Sequence, residues 1–306
     1  MSAEHVITVL RRNQHRVIGC DIYPAHWIYS SRLVDSFCQV PRATDEQNYI
    51  EAINSLCLTH QIDIIIPLTD VEIDVLSKHR DALCIPHSSG LMSANAIRLS
   101  RDKLLLNEHF ESTASVMTIP TERLDRYQAG RWIPPFISKP RNGRSSEGLR
   151  ILKSEDDVIH ECASNDAKTR IVQPQLPGDI YVIDIVRQAA TGQWAAVARK
   201  ELTRTANGAG ISVEIVNNDA LLDIAAEVAR QIDVNGCINM EFISWQDEFY
   251  LMDINPRFSA GVEFSALTGY DMVTNHIRCF MQQPIDVQLA YQSAFFTRHY
   301  IAVQTG

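Results

Sequence analysis

The sequence predicts a mixed α/β and α+β protein, and three observations predict it. Short apolar runs and amphipathic helices alternate up to about residue 85, the pattern of an α/β sheet. Within that region 63–69 reads DIIIPLT, an unbroken apolar run as expected of a strand covered on both faces. Far downstream, 238–261 reads INMEFISWQDEFYLMDINPRFSAG, two alternating runs rich in β-branched and aromatic residues around a polar turn.

Taken in order, 3–12 reads as an amphipathic helix through Val6, Ile7, Val9 and Leu10, and 16–21 as a strand ending in Asp21. A second strand covers 37–40. A helix over 46–61 carries Tyr49, Ile50, Ile53, Leu56 and Leu58, and another follows the 63–69 strand over 71–79. Residues 93–110 read as one helix containing Arg101, Asp102 and Lys103; three such charges in a row ordinarily mark a solvated face. A strand over 135–140 bears Lys139 just before a proline. The polar stretch that follows it, with Gly143 and Gly148, serves either as a plain hairpin turn or as a cradle of free N–H groups for phosphates. Residues 170–178 are a strand running into a hinge, and 179–186 resume an extended run. Further strands cover 194–204 and 212–216, joined by a loose loop at 207–210. Helices follow over 218–233 and 270–281, with a last strand over 295–303. His276 and His299 have no partners in the sequence and read as structural.

Side chains two apart on a strand share a face. Asn239 and Glu241 therefore point one way on the first strand of the hairpin, and Asp253 and Asn255 one way on the second. Brought together by the turn at 244–247, two carboxylates and an amide offer hard oxygen ligands that suit Mg²⁺ rather than zinc. A surface hairpin with solvated acids is the competing reading. Pro256 stops the strand, and Arg257 adds a fixed cation beside it.

The order Glu, then Asp-x-Asn-Pro-Arg, then small residues resembles the metal-binding end of the ATP-grasp superfamily. It is most similar to the carbamoyl-phosphate-synthase-like carboxylate–amine ligases, with Asp253 standing where a Glu is usual. The resemblance implies an ATP-grasp fold, two α+β lobes gripping a nucleotide behind a small Rossmann-like α/β domain. The divisions it implies are 1–90 for that domain, 91–118 for a linker helix region, 119–177 for lobe A and 178–306 for lobe B. It further implies Mg²⁺, or Mn²⁺, on Glu241, Asp253 and Asn255, with Lys103 and Lys139 on the phosphates of ATP. The lid would comprise Gly143, Ser145, Ser146 and Gly148, and the lid arginines Arg141 and Arg144 would add phosphate or substrate contacts. Gln173 would lie near the adenine amine, and Gln175 and Leu176 would supply its backbone edge. Asp179 would serve the ribose, because Ile180 stands where the family has an acid. Arg257 and Arg199 would be catalytic at the reacting phosphoryl group, although from its strand alone Arg199 is a sheet-edge charge or a functional one.

The small domain of that family opens with a strand and a Gly-rich turn, whereas this chain opens on a helix. The missing strand would lie next to the one at Val17, and a vacant place there would strand backbone hydrogen-bonding groups. The expectation is therefore a strand encoded upstream of Met1, or another segment in its place. Nothing in this domain reads as catalytic.

Composition narrows the function. A chain of 306 residues suits two or three subdomains, and 45% hydrophobic with 21% charged residues is ordinary for a globular protein. A net charge of −9 argues against a nucleic-acid groove. The seven cysteines are scattered without a Cys-x-x-Cys pair, as buried thiols of a reducing compartment are. No run reaches bilayer-spanning length and no signal-peptide pattern opens the chain. The expectation is a cytoplasmic protein with no membrane or nucleic-acid partner, and a homodimer as the commonest arrangement.

The expected activity is ATP-dependent ligation of a small-molecule carboxylate to an amine, or to a thiol, through an acyl phosphate. Phosphoryl transfer needs positioning and charge stabilisation more than a protein nucleophile, and no Ser-His-Asp or Cys-His grouping is evident. Two alternatives stand beside it. One is a carbamoyl-phosphate-synthase-like half-enzyme using bicarbonate. The other is a degenerate nucleotide-binding protein without turnover, suggested by Ile180 and the short N-terminus.

Overall fold

The computed structural model describes residues 2–85, 90–144, 146–286 and 290–305. The opening domain holds α1 (Ser2–Arg12), β1 (Ile18–Asp21), β2 (Ser36–Gln39), α2 (Glu46–His60) and α3 (Asp70–Lys78). β1 and β2 run parallel, from Ile18 opposite Ser36 to Asp21 opposite Gln39. Among the described residues this ladder has two strands. The strand predicted over 63–69 does not form: Ile64 alone makes a bridge, and Ile65, Ile66 and Leu68 are half-buried. A parallel strand depends on neighbours distant in sequence, and no described segment extends the β1–β2 ladder to receive it. Ile66 and Leu68 instead pack, with Val17, beneath the apolar face of α1.

The helix predicted over 93–110 is two helices, α4 (Ala94–Arg101) and α5 (Lys103–Phe110). Asp102 breaks them with extended backbone and caps α5 by accepting from the N–H groups of Leu104 and Leu105. β3 (Met117–Thr118) then joins the large sheet described below. Lobe A consists of β4 (Glu122–Arg123), β5 (Phe136–Pro140), β6 (Arg150–Leu152), α6 (Glu155–Cys162) and β7 (Arg170–Pro174), with strand order β4-β7-β5-β6. Leu124, Phe136, Leu152, Val158 and Val172 form its core.

Lobe B holds β8 (Ile180–Arg187), β9 (Trp194–Arg204), β10 (Gly210–Val216), α7 (Asp219–Gln231), β11 (Gly236–Trp245), β12 (Glu248–Asn255), α8 (Val262–Ala266), α9 (Met272–Phe280) and β13 (Ala294–Thr297). Its sheet runs β13-β10-β9-β8-β11-β12-β3. Alternation buries both faces. Ile183, Ile185, Ala196, Ala198, Ile238 and Met240 share one core with α7, while Val186, Ala195, Val197 and Cys237 share another with α9 and α1. The β11–β12 turn is two residues, Gln246 and Asp247, both left-handed (φ 52° and 63°). The strands therefore reach Trp245 and Glu248, and the turn is shorter than predicted. At the hinge into β8, a Cβ on Gly178 would sit 1.7 Å from the Ser244 carbonyl oxygen, so only glycine lets the two segments cross. No helix among the described residues is long and apolar enough to cross a membrane.

Candidate active site

Strand register arranges the polar side chains of lobe B in two adjacent rows. Asp253 pairs with Glu241, Glu241 with Val182, and Val182 with Arg199. One step along, Asn255 pairs with Asn239, Asn239 with Asp184, and Asp184 with Val197. Residues two apart share a face, so both rows look the same way, and Val182, Arg199, Asn239, Glu241, Asp253 and Asn255 line a cavity of about 360 Å³ between the lobes. Two bulges aim this face. Glu241 is opposite Asp253 while Phe242 is opposite Leu251, so Met252 is the extra residue that lets Leu251 enter the core while Asp253 faces the cavity. A second irregularity at Leu202 turns Arg204 onto the cavity side.

Each acid of the first row holds a cation. Arg204 Nη2 donates to Glu241 Oε2 at 2.8 Å, and Lys103 Nζ lies 3.1 Å from Asp253 Oδ1. Lys103 also donates to the Gly143 carbonyl at 3.0 Å, which ties α5 to the lid. Asn255 donates to Asn239 Oδ1 and accepts from Arg257. Among the described residues no group of three or more His, Cys, Asp or Glu side chains is placed to share a metal ion. The oxygen set is two carboxylates and an amide.

Lys139 reaches the same cavity from β5. Burial, and then the neighbouring charge of Lys103, push its ammonium down to about 8, against the opposing pull of Asp253 and Glu241. Arg199 is 2% exposed and reaches Asp184 at 2.7 Å, Glu201 at 3.2 Å and Ser259 Oγ at 3.1 Å. Burial opposes its charge, but the two acids outweigh that and raise its pKa. Gly261 packs on this guanidinium, where a Cβ would lie 2.9 Å from Nη2.

The triplet at 101–103 is the opposite of a solvated face. All three residues are buried, and the break at Asp102 sends each to a different partner. Arg101 grips Asp74 with two bonds, Asp102 receives Arg141 at 2.6 Å, and Lys103 meets Asp253. Of the two lid arginines, Arg141 is engaged with Asp102 and does not line the cavity, while Arg144 does. The N-terminal domain, read as carrying nothing catalytic, sends Asp70 to Arg257. That pair is bidentate, at 2.9 and 3.0 Å. Burial works against the Asp70 charge, yet Arg257, Arg101 and Arg144 hold its carboxyl below the usual range.

Of the residues expected at the site, Lys103, Lys139, Gly143, Ser146, Arg199, Glu241, Asp253, Asn255 and Arg257 line the one cavity. Gly148 stands at the lid base, where its carbonyl accepts from the buried Arg170. Ser145 lies outside the described residues. The hinge residues do not line the cavity. Gln173 is buried and donates to Thr121, and the Gln175 N–H is taken by the Pro135 carbonyl. Leu176 packs with Ile119, Ile243 and Tyr250, and Asp179 pairs on the surface with Lys200. The Gln175 N–H and the Asp179 carboxylate are thus each engaged within the protein. Glu201, Arg204 and Asp70 were not legible as site residues. The first two sit among strand charges whose facing depends on a bulge, and Asp70 reaches the site only through the tertiary fold.

Residues 166–300 match a family described as ATP-grasp in the biosynthetic pathway with Ter operon, and residues 4–84 match the PylC-like N-terminal domain. The carbamoyl phosphate synthase large chain of Agathobacter rectalis is 22% identical over 228 residues, 69% of this chain and 21% of that one. The chain spans about a fifth of the length of the curated relatives it matches. By fold it is similar to the biotin carboxylase domain of Hydrogenobacter thermophilus 2-oxoglutarate carboxylase in complex with MgADP, ADP and bicarbonate. That likeness has a TM-score of 0.77 at 16% identity, over 94% of this chain and 69% of that one. N5-carboxyaminoimidazole synthetase from Staphylococcus aureus, complexed with ADP, gives 0.75 at 17%, over 96% and 78%. Matches to an ATP-grasp model over 166–300 and to a PylC-like N-terminal model over 4–84, with a fold shared along nearly the whole length, show that the chain has the ATP-grasp fold behind a PylC-like N-terminal domain.

Proposed function

We propose that the chain is an ATP- and Mg²⁺-dependent ligase that activates a carboxylate as an acyl phosphate and transfers the acyl group to an amine. The observation that carries this is the register-locked row of Asp253 and Glu241, facing Lys103, Lys139 and Arg257 across one cavity. On the same face lies an apolar row, Tyr250, Ile243 and Ile180, packed with Leu176 and Met252. Met252, which lines the cavity, would give a base an apolar contact at that end, with the triphosphate running from there toward the acids.

Glu241, Asp253 and Asn255 fit a divalent cation. They are hard oxygen donors, and each acid already carries a positive side chain where a cation would sit. Bound there, Mg²⁺ or Mn²⁺ would supply positive charge that neutralises the phosphates. The remaining work falls to the chain's own groups. Lys103 and Lys139 hold the phosphates, and the lid with Gly143 and Ser146 excludes water. Arg257 orients the substrate carboxylate and stabilises charge on the transferring group. A carboxylate oxygen attacks the γ-phosphorus and ADP leaves; the amine then attacks the acyl carbon and phosphate leaves. Arg199, enclosed by Asp184 and Glu201, supports the cavity floor beside Ser259.

A second reading, with bicarbonate as the carboxylate, is favoured by the likeness to carbamoyl phosphate synthase and to a biotin carboxylase domain holding bicarbonate. Phosphate release from MgATP, measured over amino acids, uronic acids and bicarbonate with and without an amine, separates the two. Turnover that requires both a carboxylate and an amine supports the ligase. Turnover with bicarbonate alone favours the second reading, and MgATP binding without turnover contradicts both.

A further inference from the structure

We propose that Asp70, in the N-terminal domain, is the positioning residue for Arg257, which makes the small domain part of the catalytic apparatus. The role assigned to Arg257 rests on the ligase reading; the geometry that fixes it does not. Asp70 is the first residue of α3, and a reciprocal capping box between Thr69 and Glu72 sets the backbone there. Its side chain is 3% exposed and takes two bonds along one edge of the Arg257 guanidinium. Arg101, itself clamped by Asp74, stands with Nη1 3.8 Å from Asp70 Oδ1.

The other edges of Arg257 are also committed. One Nη2 bond goes to Asn255 Oδ1 and one Nη1 bond to the Phe258 carbonyl, both at 3.2 Å. A guanidinium has five N–H groups, and these contacts take four of them. The remaining one is on Nη1, so Arg257 meets an anion in the cavity end-on, through a single donor. Asp70 thereby dictates both where the guanidinium lies and how much of it a substrate can engage. Asp70 and Asn255, one from each domain, converge on this one side chain.

The test combines a spectroscopic and a kinetic arm on the full chain. In ¹⁵N spectra of the arginine side chains, the Arg257 Nε–H is identified by its loss in Arg257→Lys. It is expected to exchange with solvent at least about tenfold more slowly than that of exposed arginines, to lose this protection in Asp70→Asn, and to regain part of it in Asp70→Glu. With MgATP and the carboxylate that the substrate panel identifies, Asp70→Asn lowers kcat by about tenfold to a hundredfold, the scale of a misplaced catalytic group. The KM for MgATP stays within twofold, Asp70→Glu recovers part of kcat, and Asp70→Asn adds no loss on an Arg257→Ala background. Should Asp70→Asn not fold, the wild-type spectrum and Asp70→Glu still decide the matter. An unprotected Arg257 in the wild type, additive losses, or a kcat within twofold in Asp70→Asn overturns the proposal. A wild type without turnover on any carboxylate defeats the ligase reading, while the spectra still report whether Asp70 fixes Arg257.

Discussion

The β11–β12 hairpin and the β1–β2 ladder arise from similar short apolar runs, yet they differ in how their backbones are held. β11 pairs on both sides, with β12 and β8, and Ile238, Met240 and Phe242 are wholly buried. β1 pairs with β2 alone among the described residues and is half-buried throughout, and the apolar 63–69 run joins no ladder. A two-residue turn lets an antiparallel hairpin set its own register. A parallel strand needs partners brought in from elsewhere in the chain. The region that carries the proposed metal site is thus the one whose strand pairing is most local.

The largest expected effect separates chemistry from scaffold. Asp253→Ala lowers MgATP turnover by about a hundredfold to a thousandfold, the scale of losing one preorganised electrostatic group. Its melting temperature shifts by no more than about 2–4 °C, because Asp253 is not part of the packed core. A drop in melting temperature without loss of turnover would mean that the row is structural.

Packing sharpens the comparison next. Ile238→Ala, at a fully buried position, costs about 2–5 kcal/mol in denaturant unfolding. Ile66→Ala, in the half-buried 63–69 segment, costs about 1 kcal/mol because less area leaves water there on folding. Equal costs would show that the N-terminal sheet is as tightly held as lobe B. Hydrogen exchange probes the same difference at the backbone: β1 amides should exchange well before those of β11, through local opening of the one-sided ladder. Matching protection in the two strands would erase the distinction.

The smallest effect is titration of Lys139. With its pKa pushed down to about 8, it loses its charge as pH rises from about 7 to 9, and affinity for MgATP should fall over that range. The folded pKa lies below the ordinary lysine value of 10.5, so between these values the unfolded chain binds the extra proton. This residue's contribution to stability therefore rises with pH across that window. Lys139→Gln should flatten both profiles, and unchanged profiles would remove Lys139 from the phosphate path.

Local patterns made much of this legible. Alternation gave the facing of Asn239, Glu241, Asp253 and Asn255, and the cavity lining bears that facing out. Four features were not legible, each for a physical reason. The helix break at Asp102 depends on a side-chain cap competing with continued helix. The cavity-side placement of Arg204 depends on a bulge that shifts the facing along β9. The Asp70–Arg257 pair joins residues 187 apart in the chain. At the hinge, the close backbone crossing at Gly178 and the packing of Leu176, which place Gln173, Gln175 and Asp179 outside the cavity lining, depend on tertiary contacts with β11 and β12.

Calorimetric titration of the chain with a non-hydrolysable ATP analogue, in Mg²⁺ and again in EDTA, tests most directly whether the facing acids of β11 and β12 hold a cation against nucleotide. Binding at least about tenfold tighter with Mg²⁺, and loss of that advantage in Asp253→Ala, is the predicted result. Affinity that is the same with and without Mg²⁺, or a metal advantage that survives in Asp253→Ala, would contradict it.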